Sequence, residues 1–183
     1  ILFITSVSGC SYEFLEAGID SPMDNDHMTG TTLSDWIRGA QGDRPAPEDI
    51  DGLSIWKGPV GRITAIDLTV GEILWQIPHG GTPGYIQAHP DLQGVDVPTT
   101  GSPTKSSGLL VTSTLLFAGE GSRGEPVLRA YNKRTGDVVH EVQLPGGPTI
   151  GFPITYMSDG KQYIVVAALD EQSVAELVAF TVQ

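Results

Sequence analysis

The sequence predicts an all-β protein assembled from repeated antiparallel sheets, the four-stranded blades of a β-propeller. Three observations carry this prediction. Glycine (23) and proline (13) are abundant, which suits many tight turns rather than long helices. Short apolar runs rich in β-formers, ILFITS (1–6), LLFAGE (115–120) and YIVVAA (163–168), show no helical periodicity. The frame of AIDLTVGEILW (65–75) then returns as AYNKRTGDVVH (130–140), at an offset of 65. A hairpin that recurs with its turn residues marks radially repeated sheets.

ILFITS reads as a central strand. The segment ILFITSVSG has no starting Met and no basic flank, so it reads as a strand and not as a signal peptide. The chain is expected to begin inside a longer polypeptide. A loop-rich insert follows at 10–59, dense in Gly, Pro, Asp and Ser. Within it, a short helix is expected to start near Thr32 or Ser34, either of which can cap it. Asp24 and Asp26 flank Asn25, but the glycine and terminal glutamate of a calcium-binding EF-hand loop are missing. Trp56 and Lys57 are expected at a blade edge and in solvent, and Arg62 exposed or ion-paired. The insert as a whole is expected at the substrate mouth.

ITAIDL then forms a strand, TVG a turn and EILWQI the next strand. Gly71 and Gly136 supply the positive φ that such turns demand. Asp67 and Asn132 bond the turn backbone through short side chains. Trp75 is a flat plug for the gap between neighbouring sheets, with its indole N–H bonded, and Ala65 and Ala130 leave room for a neighbour. LLFAGE, the connection GSRGEP and LRAYNKRTGDVVHEV repeat the layout. YIVVAA, LDEQSVA and ELVAFTV repeat it again.

The count is one full blade and two partial ones. The first unit begins at its second strand, and the last stops at FTVQ, where a closing strand is due. Such a set leaves sheet edges open. The remaining blades are expected from the same or another chain.

Charge excludes one class of function. Ten Lys and Arg against 22 Asp and Glu leave a formal charge of −12, the reverse of what a phosphate-backbone binder needs. No nucleic-acid partner is expected. Cys10 stands alone, so no internal disulfide forms. No stretch reaches the roughly 18 apolar residues of a membrane-spanning helix. His79 and His89 lack nearby carboxylate or thiol partners in sequence, so zinc is not expected.

Four stretches, GRITAIDLTVGEILW, SGLLVTSTLLFAGEG, LRAYNKRTGDVVHEVQLP and IGFPITYMSDGKQYIVVAA, together resemble the C-terminal part of the pyrroloquinoline-quinone-dependent glucose and alcohol dehydrogenases. FPITYMSDGKQYIVV is the most specific of these pieces. The resemblance covers residues 52–183 well and makes 1–183 a C-terminal segment of a quinoprotein propeller. It implies eight blades, with the quinone flat near the axis over a calcium ion. In that family Ala-x-Asp-x-x-x-Gly-x-x-x-Trp segments dock each blade on the next. Residues 65–75 match this pattern in full. Residues 130–140 depart at Asn132 and His140, and His140 reads as structural.

The implied reaction oxidises a sugar or alcohol hydroxyl. A base takes the hydroxyl proton, hydride passes to the quinone, and calcium acts as Lewis acid. The family's catalytic base and calcium ligands match nothing here and are expected outside this segment. Asp67 lies in the docking motif and reads as structural. In relatives a VPNLGGP-like stretch brings an Asn to the quinone. Here VPTTGSP (97–103) places Thr99 at that position, with Thr100 and Gly101 beside it, so these three are the cofactor-binding candidates. The stretch LPGGPTIGFPITY (144–156) is a second wall segment, where Gly146, Gly147 and Gly151 allow close approach. A membrane quinone or a cytochrome is the implied electron acceptor, in the periplasm or outside the cell. No CxxCH haem motif is present in the sequence. The competing reading is a non-catalytic propeller scaffold, or a family member without its cofactor.

Overall fold

The computed structural model describes residues 1–8, 15–16, 28–29, 49–54, 58–102, 108–121, 125–147, 149, 151–169, 172 and 174–182. The chain divides into two compact units, Ile1–Ser8 with Gly58–Gln183, and Gly9–Lys57.

The larger unit is built from three antiparallel sheets, as the apolar runs predict. The first contains β1 (Leu2–Val7), β6 (Gly61–Asp67) and β7 (Glu72–Pro78), in the order β1-β6-β7. The second is four-stranded, with β8 (Leu109–Val111), β9 (Leu115–Gly119), β10 (Val127–Asn132) and β11 (Val138–Gln143) in sequence order across the sheet. The third contains β12 (Ile154–Ser158), β13 (Lys161–Leu169) and β14 (Ala175–Val182). Strands β1 and β6 pair from Leu2↔Ile66 to Val7↔Gly61, although the whole insert separates them in sequence. One four-stranded sheet and two three-stranded ones agree with the expected full blade and two partial blades.

Every sheet shares one polarity. Tight hairpins join β6 to β7, β8 to β9, β10 to β11 and β12 to β13 at one end, the hairpin end. All other connections leave from the opposite end, the loop end. Residues 97–102, 144–147 and 151–153, with Ser8 and Gly58 at the two stems of the insert, therefore share the loop end. A short helix, α1 (Gly84–Gln87), and a single 3-10 turn at Pro90–Leu92 lie in the β7–β8 connection.

Period-2 alternation sorts the core into two layers. Leu116, Ala118 and Tyr131 face the first sheet, meeting Ile63 with Phe3, Trp75 and Ile77 against them. Their sequence neighbours Phe117, Leu128 and Ala130 face the third sheet, meeting Ile164, Val166 and Ala168. The second sheet is thus apolar on both faces, as a middle sheet must be. Each fully buried Leu or Ile here contributes roughly 1.5–3 kcal/mol.

The repeated frame has one geometry in both copies. Ala65 pairs with Trp75 and Ala130 with His140, and a bulge follows each alanine. Gly71 (φ 76°) and Gly136 (φ 81°) hold the left-handed turn position. The Asp67 carboxylate accepts from the Thr69 N–H at 2.8 Å and from its hydroxyl at 2.6 Å. Those bonds hold its pKa below the usual carboxylate value. Asn132 does the same for the Arg134 N–H at 3.0 Å. Trp75 spans the gap between sheets: its indole N–H donates to the Lys133 carbonyl at 3.2 Å. A Cβ on Gly136 would sit 3.0 Å from the indole, so this glycine is also a close-approach position.

The smaller unit is described at two strand pairs. One joins β2 (Leu15–Glu16) to β3 (Met28–Thr29); the other joins β4 (Asp49–Ile50) to β5 (Leu53–Ser54). Asp51 (φ 52°) and Gly52 (φ 88°) make the second turn, the Asp-Gly pairing of a two-residue hairpin. The expected helix near Thr32 or Ser34, the residues Asp24, Asn25 and Asp26, Cys10, and Trp56 with Lys57 lie outside the described residues. Arg62, expected exposed or ion-paired, is half-buried and donates to the Ser8 hydroxyl at the point where β1 runs beside β6.

Candidate functional site

The loop end of the first two sheets gathers the candidate residues. Thr99, Thr100 and Gly101 precede β8, in the connection that carries the chain from the first sheet to the second. Thr99 is exposed and lines a cleft of about 480 Å³ between these sheets, together with Gly80, Gly81, Arg129, Tyr131 and Glu141. Thr100 is committed through its backbone. Its N–H donates to the Thr82 hydroxyl at 3.1 Å, and its carbonyl accepts from the Val60 N–H. Gly101 (φ 72°) presses backbone to backbone on Gly61 and His79, leaving no room for a Cβ. Ser102 completes the seam, its N–H donating to the His79 carbonyl at 2.7 Å. The three candidates are brought together: Thr99 faces open space, while Thr100 and Gly101 anchor it.

Beneath this seam lies a polar cluster. Glu120 is 1% exposed and Arg129 8%. The Arg129 guanidinium donates to Glu120, to Glu125 at 2.9 Å and to Glu141 at 2.6 Å. Burial opposes its charge, but the hydrogen bonds to Glu120 and Glu141 prevail and raise its pKa above the ordinary arginine value. Beside it, the buried His79 ring lies 3.3 Å from the Tyr131 hydroxyl through Nδ1 and 3.1 Å from the Gly119 carbonyl through Nε2. Desolvation pushes the His79 pKa down, and it pushes the Tyr131 pKa up. His79 is therefore a neutral packing group of the first two sheets.

Sequence reasoning weighed His79 only against zinc and did not single out Glu120, Arg129 or Tyr131. One signal was available. Arg129 interrupts an otherwise apolar run, VLRAY, in a strand read as buried, and a buried arginine demands carboxylates.

The 144–156 segment runs along the second and third sheets. Gly147 donates its N–H to the Leu169 carbonyl, and Thr149 bridges to Ala168. A Cβ on Gly147 would lie 2.9 Å from the Leu169 side chain, whereas Gly151 has ordinary room. The second and third sheets also enclose an apolar groove of about 680 Å³, lined by Phe117, Val139, His140, Val142, Ala179 and Phe180 among others. Among the described residues, no group of three His, Cys, Asp or Glu side chains is placed to hold a metal ion.

Comparison with known proteins gives one family model over residues 25–164, described as the glucose/ethanol/alcohol dehydrogenase β-propeller domain with PQQ. The chain is 35% identical over 122 residues to the quinate/shikimate dehydrogenase (quinone) of Acinetobacter baylyi, covering 64% of this chain and 14% of that protein. It is 33% identical over 121 residues to the quinoprotein glucose dehydrogenase of Escherichia coli, again covering 64% of this chain and 14% of that protein. A quinohemoprotein alcohol dehydrogenase structure from Comamonas testosteroni superposes on 66% of this chain and 16% of its own, at a TM-score of 0.46 and 23% identity. The chain thus spans about one seventh of the length of the curated relatives it matches.

Proposed function

The chain belongs to the PQQ-dependent glucose/ethanol/alcohol dehydrogenase β-propeller family, and on that premise we propose that it is the C-terminal section of an enzyme oxidising a sugar or alcohol hydroxyl. The single observation that carries the reading is the family match over residues 25–164, together with the propeller-like repeat of the sheets. The chain's relatives include dehydrogenases of quinate or shikimate, glucose and glycerol, all hydroxylated substrates.

In this reading the sheets are part of an eight-bladed propeller, completed by blades of the same or another chain. The Thr99 hydroxyl, with Thr100 and Gly101 behind it, borders the cofactor. The fit rests on form: an exposed hydroxyl next to the anchored backbone of Thr100 can offer one directed hydrogen bond to a polar planar ligand. Bound pyrroloquinoline quinone would supply the hydride acceptor for the substrate carbon. The residues of this chain would position and shield that ligand, and they would move no proton. The catalytic base and the calcium ligands are assigned to the remainder of the enzyme. A quinone or cytochrome would take the electrons, in the periplasm or extracellular space.

The test is made in the full-length polypeptide. Titration with pyrroloquinoline quinone and calcium, followed by absorbance, should show saturable binding and alcohol- or sugar-dependent dye reduction. Thr99→Val should weaken quinone binding about five- to tenfold, the worth of one hydrogen bond of about 1 kcal/mol. Absence of quinone binding in the unmodified protein would reject the enzymatic reading in favour of a scaffold.

A further inference from the structure

We propose that Arg129 is a positioning residue for the 99–102 loop, acting through the two carboxylates on which that loop's support rests. This deepens the reading that the loop borders the cofactor, and its structural part stands independently of it.

The chain of contacts is continuous. Ser102 and Thr100 hang from residues 79–82 by two hydrogen bonds, to the His79 carbonyl and the Thr82 hydroxyl. Residues 80 and 81 in turn lie on carboxylates of the second sheet's β9–β10 connection. A Cβ on Gly80 would fall 2.8 Å from the Glu120 carboxylate and 2.7 Å from the Ser102 Cβ. A Cβ on Gly81 would fall 2.7 Å from a Glu125 oxygen. The two glycines thus let the backbone settle onto the two glutamates, and Ser102 meets the same point.

Arg129 holds both glutamates. Its two terminal nitrogens take one each, while Nε is turned by Glu141. Glu120 also accepts from the Glu125 N–H at 3.2 Å, which ties the two ends of the connection together. Glu125 and Glu141 are about half exposed and keep solvent as an alternative partner, whereas Glu120 is buried. Removing the guanidinium takes a charged donor away from a buried carboxylate, a strongly unfavourable change. Glu120 would then turn toward water, and the floor under residues 80–81 would go with it. The planar fork of arginine is required because the donors must reach three directions at once; lysine offers one point charge.

The experiment uses the full-length polypeptide carrying Arg129→Met, Arg129→Lys or, as a destabilising control in the other core layer, Ile164→Val. Amide hydrogen exchange reads the loop directly, and quinone titration reads its consequence. Arg129→Met should speed exchange at Thr100 and Ser102 and weaken quinone binding, each about tenfold or more, consistent with losing hydrogen bonds between charged groups. Arg129→Lys should recover part of both, and Ile164→Val should change neither. Should Arg129→Met fail to fold, Glu120→Gln carries the test, with the same signs and smaller effects.

Unchanged exchange at Thr100 and Ser102 in a folded variant, or an equal change in Ile164→Val, overturns the proposal. Faster exchange in a protein that binds no quinone upholds the positioning role and rejects the cofactor reading alone.

Discussion

The two inter-sheet junctions of the larger unit use the same repeated frame and finish it differently. Between the first and second sheets, Trp75 fills the gap, bonds the Lys133 carbonyl and seats Gly136 on its ring. Between the second and third, His140 holds the equivalent position, across from Ala130, and an apolar groove of about 680 Å³ remains beside it. The first junction also buries His79 against Tyr131, whereas His140 is exposed. The same backbone frame therefore does not make identical joints: the Trp75 indole plugs the first junction at its hairpin end and leaves the polar cleft of about 480 Å³ beside it, whereas the second keeps an apolar groove at His140.

Unplugging the first junction should have the largest effect. Trp75→Ala removes the indole from between two sheets and should destabilise the chain by about 3 kcal/mol, read as a lowered urea midpoint. His140→Ala, at the matching position, should stay within about 0.5 kcal/mol. Equal losses would mean that the two positions are energetically alike.

Acid should find the same difference. His79 has a lowered pKa in the folded state because burial disfavours its charged form. Below the ordinary value of 6.5, the unfolded chain binds a proton that the folded chain refuses. Stability should fall as pH drops from 6.5 toward the folded value, by up to about 1.4 kcal/mol per pH unit, and be fully present above 6.5. His79→Gln should flatten this limb in a pH series of urea melts.

Filling the groove at the second junction should give the smallest change. His140→Trp places an indole against the apolar groove and should raise stability by about 1 kcal/mol or less. A loss of stability would show that the groove is shaped for something other than the indole found at the first junction.

The parts of this fold that were legible in the sequence are those encoded locally. The frame at 65–75 announced its turn through Gly71 and Asp67 and its inter-sheet plug through Trp75, because positive φ, short acceptors and large flat side chains each have few other uses. ILFITS is legible as the stretched first copy of the repeated layout, set far upstream of ITAIDL by the insert, but its register on β6 is not. The polar cluster was not legible: Glu120, Glu125, Arg129 and Glu141 meet only after β9, β10 and β11 have paired. The commitment of Gly101 to Gly61 and His79 was equally hidden, since the contact joins backbone atoms brought from three separate segments. Of the candidate site, the sequence placed Thr99 in a loop before a strand; the anchoring behind it is a property of the folded sheets.

The polarity of the sheets has a consequence for how such a molecule changes over evolutionary time. The connection from β1 to β6 spans residues 8–60, while the equivalent connection from β9 to β10 spans only 120–126. Yet both pairs of strands are in full register at their loop ends. Closure entropy grows only with the logarithm of length, so a long connection costs little more to close than a short one. At the hairpin end the turns carry docking contacts, and lengthening one would pull Gly136 off Trp75. Insertions are therefore tolerated at one pole of the molecule and penalised at the other. The hairpin pole is thus the part of the molecule that holds the sheets in place, and the loop pole the part that can take on new sequence without moving them.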